Sequence, residues 1–553
     1  MKKAIFPFFL LSALSFHACQ PKEEPADTLY TNGVVWTGDP DRPSASVLAV
    51  KGEKILYVGE DAAIHQGKNT KVVDLAGKFV CPGFIDNHTH FMSGGFQLAS
   101  VNLRGAKTPR EFIRTLAEFA KNLPEGQWIT GGDWDHENWG GELPRREWID
   151  SVTQRNPVFV NRLDGHMALA NSLAIERASA DKTMPDVAGG AIVRDARGNP
   201  AGVFKDEAMA LIQKAIPEAD EAQLDAALQR AMDYMLSVGV TQIHDVSSLG
   251  GWSDLETFRR ARKQGKLNLR IYSMVPLSNW AKMADYVGDN GRGDDWLHWG
   301  ALKGFVDGSL GSTTAWFYSP YQDEPNTSGL LVNDTLQLRQ WILQADSAGL
   351  HVAVHAIGDR ANDWLLNVYA ETEALHGPRD RRFRIEHAQH LTRSAIQRFA
   401  ELGVIPSMQP YHAIDDGRWA EKRIGPERIK TTYAFRDLLN AGANLTFGSD
   451  WTVAPPSPLE GIYAAVTRQT LDGRNPNGWV PQQKISPEEA LRCYTVNNAY
   501  AAFQETKTGK LKPGMYADFV VLSDNILKIP GEKIRGVNVL RTVVNGKERF
   551  VKK

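Results

Sequence analysis

The chain has 553 residues, of which 42% are hydrophobic and 23% charged, with a formal net charge of -2 and a pI near 6.7. This length exceeds what one simple core buries, so we expect two or three structural units. The composition excludes a disordered chain, and the near-neutral charge without a basic block argues against a nucleic-acid partner.

The first 18 residues predict an export signal. Two lysines precede an apolar stretch, residues 4–18, that is too short to span a bilayer comfortably. The segment resembles a bacterial lipoprotein signal peptide, in which Cys19 is lipidated and residues 19–27 form a polar tether. A plain secretory cleavage site fits less well, because Phe16 stands where a small residue is expected. We therefore expect an exported cell-envelope lipoprotein on the periplasmic face or the outer surface, attached to the membrane only through this anchor.

Both ends of the remaining chain predict short β-strands. Residues 28–81 alternate β-branched and aromatic residues between Asn-Gly, Lys-Gly and Ala-Gly turns, and residues 508–553 carry the same pattern. Each half alone has too few strands to bury a core. A small β-sandwich domain built from both termini is therefore the economical arrangement.

Residues 82–507 alternate apolar strands with helical segments, each of which closes at a glycine that suits a helix end. The strand candidates are PGFIDNHTH, VTQIHDV, LRIYSMV, ALKGFVDG, HVAVHAIGD, FRIEHAQ, VIPSMQP and NLTFGSDW. Eight strand–helix units predict an α/β fold, the TIM barrel, whose active site lies at the carboxyl ends of the strands. Residues 92–215 break this rhythm, and we expect them to form an insertion after the first strand that caps the barrel mouth.

Residue types that ligate metals end several of these strands. Side chains alternate along a strand, so His88 and His90 point to the same side. His355, His387 and Asp450 each close a later strand just before a loop. Each alone would more often be structural. Together, nitrogen and oxygen donors from four strands at one rim suit a divalent cation.

The chain resembles the metal-dependent amidohydrolase superfamily from about residue 28 to 550. The motifs that carry the resemblance are PGFIDNHTH, LKGFVDGSLGSTTA, HAIGDRA, IEHAQ, SMQPYH, GSDW and GKLKPGMYADFVVL. Within the superfamily it is similar to amidohydrolase family 3, the YtcJ-like branch that contains N-substituted formamide deformylases and, more distantly, D-aminoacylases.

The resemblance implies one or two divalent metal ions, with zinc expected and manganese or iron as alternatives. The ligand positions fall on His88, His90, Lys303, His355, His387 and Asp450. The first metal would be held by the first-strand histidines with Asp450, and the second by the histidines of the fifth and sixth strands. Lys303 can contribute only as a carbamate that bridges two metals, because an ammonium has no lone pair. The alternative is an ordinary salt-bridged lysine.

The implied activity is hydrolysis of a carbon–nitrogen bond other than a peptide bond, in an amide or an N-substituted formamide. A metal ion lowers the pKa of bound water from roughly 16 to about 7 and stabilises the oxyanion. Asp450 would accept the proton of that water as general base and return it to the leaving nitrogen as general acid. The resemblance also makes His166 a catalytic candidate that contacts the substrate or oxyanion from the insertion.

Candidate substrate contacts lie in the insertion and in the strand-end loops: Asp164, Trp134, Asp307, Trp451 and Arg468. Aromatic residues that border a mouth would suit a bulky amide, although such residues are more often packing. Arg468 could contact a substrate carboxylate or a structural acid. His351 is interpreted as structural, and His244 as a packing residue or a support for the ligands. The expected partner is a small-molecule substrate, and family members often form homodimers.

Two other functions stay open. N-acyl-D-amino-acid deacylases and cyclic amidohydrolases share the barrel and its ligands, and a pocket arginine that answers a substrate carboxylate would favour the former. From a different class, the chain could be a non-catalytic surface binding lipoprotein on a former enzyme scaffold. The complete ligand set argues against this, because degenerate scaffolds usually lose ligands.

Overall fold

The computed structural model describes residues 24–162, 167–180, 183–184, 187, 190–247 and 251–553. The expected signal peptide and three of the predicted functional residues, Cys19, Asp164 and His166, lie outside the described residues. Within the described part of the chain, no helix combines the length and the apolar character that a membrane span requires.

Eight parallel strands pair in chain order to form a barrel. They are Phe84–Thr89, Val240–Asp245, Arg270–Pro276, Leu297–Phe305, His351–Ala356, Arg384–His387, Ile405–Met408 and Thr446–Phe447. The chain just beyond the eighth strand pairs with the first through a parallel bridge between Thr89 and Trp451 and a 2.8 Å hydrogen bond from the Asp450 amide to the His88 carbonyl. Nearly every strand residue is buried, as expected for a parallel sheet covered on both faces. The predicted TIM barrel is confirmed.

Helices surround the barrel and lie between its strands. Helix Phe91–Ala99 follows the first strand, and helix Glu221–Ser237 precedes the second. The later helices are Trp252–Lys263, Trp280–Asn290, Thr335–Ser347, Asp359–His376, Arg393–Glu401, Pro410–Asp416, Ala420–Arg428, Phe435–Ala441, Pro458–Thr467, Pro487–Cys493 and Val496–Ala501. Several begin at a side chain that accepts a first-turn amide hydrogen bond, namely Asp220, Asp334, Thr392, Ser457 and Ser486. These local caps explain why the helix starts can be read from sequence. Short 3-10 helices span His136–Trp139, Glu207–Met209, Leu277–Asn279, Ile429–Thr431, Pro481–Gln483 and Gly531–Gly536.

The segment between the first two barrel strands contains a mixed six-stranded sheet. Its strands, in spatial order, are Gly190–Arg194, Pro200–Asp206, Met167–Ala170, Phe159–Arg162, Gly131–Trp134 and Val101–Asn102. Helices Pro109–Ala120, Arg146–Asp150, Ser172–Arg177 and Ala210–Gln213 accompany it. Two apolar clusters composed of residues from this segment give it a core of its own.

Two further sheets contain the terminal strands. One has the order Lys54–Gly59, Val47–Lys51, Thr28–Thr31 and Lys71–Asp74, and the other the order Lys547–Val551, Val539–Val544, Phe519–Leu522, Phe79–Pro82, Val34–Trp36 and Ser44–Ala45. A single buried apolar cluster contains residues of both sheets, including Leu48 and Phe519. The second of these sheets contains strands from both ends of the chain and therefore joins them. A separate sandwich domain bounded by residues 28–81 and 508–553 stays a prediction.

Candidate metal centre

Two first-strand histidines and the aspartate after the eighth strand meet at the barrel mouth. Nε2 of His88 lies 3.5 Å, and Nε2 of His90 3.4 Å, from Oδ1 of Asp450. One donor atom from each of the three residues lies within 4.8 Å of the other two. Two imidazole nitrogens and a carboxylate oxygen fit a divalent cation held at about 2.0–2.2 Å from each donor.

Backbone conformation at the strand ends directs these side chains. Four non-glycine residues there adopt positive φ angles, with 74° at Ser247, 73° at His387, 44° at Ala388 and 59° at Asp450. Such conformations are costly for residues with a Cβ and persist where the surrounding structure imposes them, often at functional sites. The Ser247 carbonyl lies 2.7 Å from Nδ1 of His90. That ring nitrogen therefore donates, and the lone pair of Nε2 faces Asp450.

A buried polar network behind His88 sets the orientation of its ring. Oε2 of Glu386 lies 2.5 Å from Nδ1 of His88 and accepts a 2.6 Å hydrogen bond from the Ser407 hydroxyl, while Oε1 accepts one of 2.7 Å from Arg384. Arg384 also contacts Nδ1 of His244 at 3.0 Å, so His244 supports the network rather than the cluster itself. Nδ1 of His88 thus acts as the donor, which leaves Nε2 available to a metal.

The electrostatics of the cluster favour a neutral His88 imidazole beside the ionised carboxylates of Glu386 and Asp450. Burial and the nearby Lys303 lower the pKa of His88 to about 4. Burial alone would raise the pKa of Glu386, but Arg384 and His88 outweigh it and hold that pKa well below its usual range. Burial would likewise raise the pKa of Asp450, but the His90 and His88 imidazoles hold it well below its usual range. Near neutral pH both carboxylates are therefore ionised.

Lys303 lies on the fourth strand with its amine toward the cluster. Its side chain is buried, and Nζ is 3.5 Å from Nε2 of His88 and 4.8 Å from the centre of the Phe305 ring. Burial lowers the pKa of Lys303 to about 8. An appreciable fraction of the amine therefore carries a lone pair near neutral pH.

The second predicted pair of histidines is arranged differently from the expectation. His355 lies beside His387, with ring centres 4.4 Å apart, but its Nε2 is 3.1 Å from the Gly308 carbonyl oxygen. His387 instead groups with Asp450 and with His412, and the donor atoms of these three lie within 4.8 Å of one another. His412, the final residue of the SMQPYH motif, lies past the strand end, where the strand period does not indicate its direction. Its sequence signal is its position within one helical turn of the end of the seventh strand.

Asp307 organises loops instead of facing a substrate. It is buried just after the fourth strand and accepts amide hydrogen bonds from Trp316 at 2.7 Å, Ile357 at 3.0 Å and Gly358 at 2.8 Å. The carboxylate therefore joins the loop after the fourth strand to the loop after the fifth. This corrects its assignment as a substrate contact.

The assignments of Trp134 and Arg468 as substrate contacts are wrong. Trp134 is fully buried among apolar residues of the insertion, and its indole donates a 2.8 Å hydrogen bond to the Val160 carbonyl. Arg468 is also fully buried, and its guanidinium donates to the carbonyls of Trp479 at 2.7 Å and Tyr433 at 3.1 Å. Neither side chain is free to reach a ligand. His351, interpreted as structural, lies 2.9 Å from the Tyr272 hydroxyl and 2.7 Å from the Arg382 carbonyl oxygen.

A cleft of about 350 Å³ opens between the insertion and the loop after the eighth strand. One wall contains residues 131–133 of the insertion, and the other contains Trp451, directly after Asp450, with residues 452–456. Trp451 packs edge-to-face against Tyr234, with ring centres 5.5 Å apart. Trp451, predicted as a substrate contact, thus lines this cleft next to Tyr234.

The barrel and the donor set at its mouth define a metal-dependent hydrolase. A sequence model of amidohydrolase family 3 matches residues 71–550, and the chain belongs to this family. It is 41% identical over 537 residues to the protein LONG AFTER FAR-RED 3 of Arabidopsis thaliana, covering 95% of this chain and 92% of the relative. It is 28% identical over 550 residues to the N-substituted formamide deformylase of Arthrobacter pascens, covering 95% and 98%. A crystal structure of an uncharacterized metal-dependent hydrolase from Pyrococcus horikoshii superposes with a TM-score of 0.77 at 29% identity, covering 91% of this chain and 99% of the other.

Proposed function

We propose that the protein hydrolyses a C–N bond in a small amide or N-substituted formamide. The observation that carries this proposal is the position of Asp450, whose Oδ1 lies within 3.5 Å of Nε2 of both His88 and His90. The likeness to the formamide deformylase over nearly the whole of both chains supports the substrate class. The proposed place of action is the cell envelope, with Cys19 as the lipid anchor.

His88, His90 and Asp450 would hold the proposed zinc ion. When bound, such a cation supplies a water molecule with its pKa lowered to about 7 and polarises the substrate carbonyl. Glu386 and the Ser247 carbonyl hold the two imidazoles with their Nε2 lone pairs toward the cation position. Such contacts from behind a ligand fix the tautomer and the orientation of its ring.

Asp450 is the proposed general base and acid. Because its pKa is held well below the usual range, it is ionised at neutral pH and accepts the proton released as water attacks the carbonyl carbon. Once protonated, it is a strong acid and returns the proton readily to the leaving nitrogen. The C–N bond then breaks, which yields an amine and a carboxylic acid, or formic acid from a formamide.

For a centre that holds two metals, Lys303 is the proposed site of carboxylation. Its neutral amine would attack carbon dioxide, forming an N–C bond and releasing one proton, and the product is an anionic carbamate. The lowered pKa and the 3.5 Å separation from His88 support this step. Carbon-13 NMR after exposure to labelled bicarbonate should show a carbamate resonance that is missing from Lys303→Ala.

Arg468 lends no support to the deacylase alternative, because its guanidinium donates to the backbone carbonyls of Trp479 and Tyr433. We therefore expect uncharged formamides to be better substrates than N-acyl amino acids.

The proposed activity is tested with the zinc-loaded protein and a panel of N-benzylformamide, N-acetyl-D-amino acids and hydantoin, with amine release as the readout. We expect the formamide to be hydrolysed, chelation to abolish the activity, and His88→Ala to be inactive while its circular dichroism is unchanged. A zinc-loaded wild type inert toward the whole panel, or a fully active His88→Ala, would contradict the proposal.

A further inference from the structure

A cavity of about 520 Å³ opens at the opposite end of the barrel from the histidine cluster. Its lining includes His351, the first residue of the fifth strand, with Tyr272 and His298 near the starts of the third and fourth strands. The loops that precede the fourth, fifth and sixth strands complete it, together with residues 502–504 and 507. These segments lie at the amino-terminal face of the barrel, whereas the predicted metal ligands lie at its carboxyl-terminal face. The volume is in the range of small-molecule sites.

Aromatic rings form one wall of this cavity. The rings of Tyr272 and His298 are stacked, with centres 4.1 Å apart and planes at 17°. The His351 ring is also nearly parallel to that of Tyr272, at 10°, with centres 5.9 Å apart. Phe503 meets His351 edge-to-face at 5.3 Å and is 41% exposed. A partly exposed ring beside a stack of rings suits a planar ligand.

Arg381 brings two buried donors to the cavity. Its side chain is 6% exposed, and its Nε donates a 2.9 Å hydrogen bond to Oδ1 of Asp346. Among the described residues, neither terminal nitrogen of Arg381 has a hydrogen-bond partner. Because burying a charged donor without an acceptor is costly, these nitrogens are complementary to an anion that enters the cavity. The planar fork of a guanidinium matches the two oxygens of a carboxylate.

The arginines of the cavity carry more positive charge than their acid partner neutralises. Arg379 shares Asp346 with Arg381, at 2.5 Å from Oδ1. Arg292 donates to the Gly349 carbonyl at 2.7 Å, and no carboxylate of the described residues forms an ion pair with it. The three acids that line the cavity are each paired with a cation: Asp294 with Arg262, Asp295 with Lys507 and Asp380 with Arg382. The cavity therefore favours an anionic ligand.

We propose that this cavity is a second ligand site, which binds a small aromatic carboxylate. Its carboxylate pairs with the free donors of Arg381 beside Arg292, and its ring packs against the aromatic wall. Gln504, which is 7% exposed and whose Oε1 has no hydrogen-bond partner among the described residues, can accept a hydrogen bond from a hydroxyl or amine substituent. The site lies at the other end of the barrel from the metal centre, so the inference does not rest on the proposed function.

The test is calorimetric titration of benzoate into the zinc-loaded full chain. Benzyl alcohol, which keeps the ring without the charge, and acetate, which keeps the charge without the ring, are the comparison probes. Because a carboxylate also binds zinc, the titrations are repeated after chelation. There we expect one benzoate per chain, and binding of the other two probes at least about 10-fold weaker, since each lacks either the charged hydrogen bonds or the ring contacts.

Arg381→Gln should weaken benzoate binding about 10–100-fold, because hydrogen bonds between charged groups contribute this much. Arg292→Gln should weaken it several-fold, and it supplies a second measurement if Arg381→Gln does not fold. Circular dichroism of each variant reports on folding. The matched control is Arg339→Gln on an outer helix, where Arg339 pairs with Glu371, and its benzoate affinity should equal that of the wild type.

Four outcomes would contradict the proposal. Benzoate binding that is missing or disappears on chelation would overturn the site, as would undiminished binding in folded Arg381→Gln and Arg292→Gln. Equal affinity for acetate or for benzyl alcohol would overturn the ligand class. A chain that hydrolyses no amide but still binds benzoate in this way would remove the proposed function and support this inference.

Discussion

Glu386 shows how a residue that does not itself face the metal position can control the site. Its carboxylate is fully buried and contacts Nδ1 of His88, while Arg384 and Ser407 satisfy its remaining hydrogen-bonding capacity. We predict that Glu386→Gln lowers zinc affinity about 10–100-fold, because partners behind a metal ligand typically contribute this much. Glutamine keeps only one acceptor oxygen, so its NH2 group would face either the Arg384 donor or the donors of His88 and Ser407. Competition titration with a chromophoric zinc chelator measures the change.

The control for this variant is Glu371→Gln. Glu371 pairs with Arg339 on the outer helices, and both side chains are more than a third exposed. Its zinc affinity should equal that of the wild type. Equal affinities for Glu386→Gln and the wild type would show that His88 is oriented without the carboxylate.

At the scale of elements, the first and eighth strands close the barrel at Gly448. A Cβ added there would lie 2.6 Å from the His88 amide nitrogen, 2.6 Å from Oδ1 of Asn87 and 2.8 Å from the His88 Cβ. We predict that Gly448→Ala destabilises the fold by about 1–3 kcal/mol, as overpacking a closed core does, and lowers zinc occupancy because it displaces His88. Urea unfolding and elemental analysis measure the two effects.

Gly288→Ala is the matched control for the strand contact. Gly288 lies inside the helix Trp280–Asn290, and a Cβ there meets nothing within 4 Å. Because alanine is the better helix former by about 1 kcal/mol, this change should leave stability unchanged or raise it slightly. An undisturbed Gly448→Ala would mean that the two strands can separate at no cost.

At the scale of the whole molecule, one buried ion pair ties the barrel to the terminal strands. Arg270 begins the third barrel strand and donates two hydrogen bonds, of 2.6 and 3.1 Å, to Asp518, while Asn545 accepts a third of 2.8 Å. Both charged side chains are at most 4% exposed. We predict that Asp518→Ala lowers the free energy of unfolding by about 3–5 kcal/mol, because it leaves a buried guanidinium without its partner. Urea unfolding measures the loss.

An exposed pair is the comparison for Asp518. Glu427 and Lys430 are 2.6 Å apart on the surface, with more than half of each side chain exposed. Glu427→Gln should change stability by less than about 1 kcal/mol. A similarly small effect of Asp518→Ala would show that the terminal strands are held mainly by apolar packing.

How well the role of a residue can be predicted from sequence depends on the contacts that determine that role. His88 and His90 share a strand, so the two-residue period alone placed them on one side. The roles of Trp134 and Arg468 depend on burial and on backbone partners 26 and 35 residues away in the chain, which residue type alone does not predict. His412 was missed because it lies in a short helix past the strand end, where no strand period indicates its direction.

The eight strands, the helical segments between them and the donor types at the strand ends could be predicted from the sequence, because apolar periodicity and strand alternation act over a few residues. Which donors share one cation position depends on the tertiary structure. The closure of the barrel brings Asp450 against His88, and the turn after the seventh strand brings His412 to the other oxygen of the same carboxylate. These contacts join residues tens to hundreds of positions apart, so they exist only once the barrel has closed.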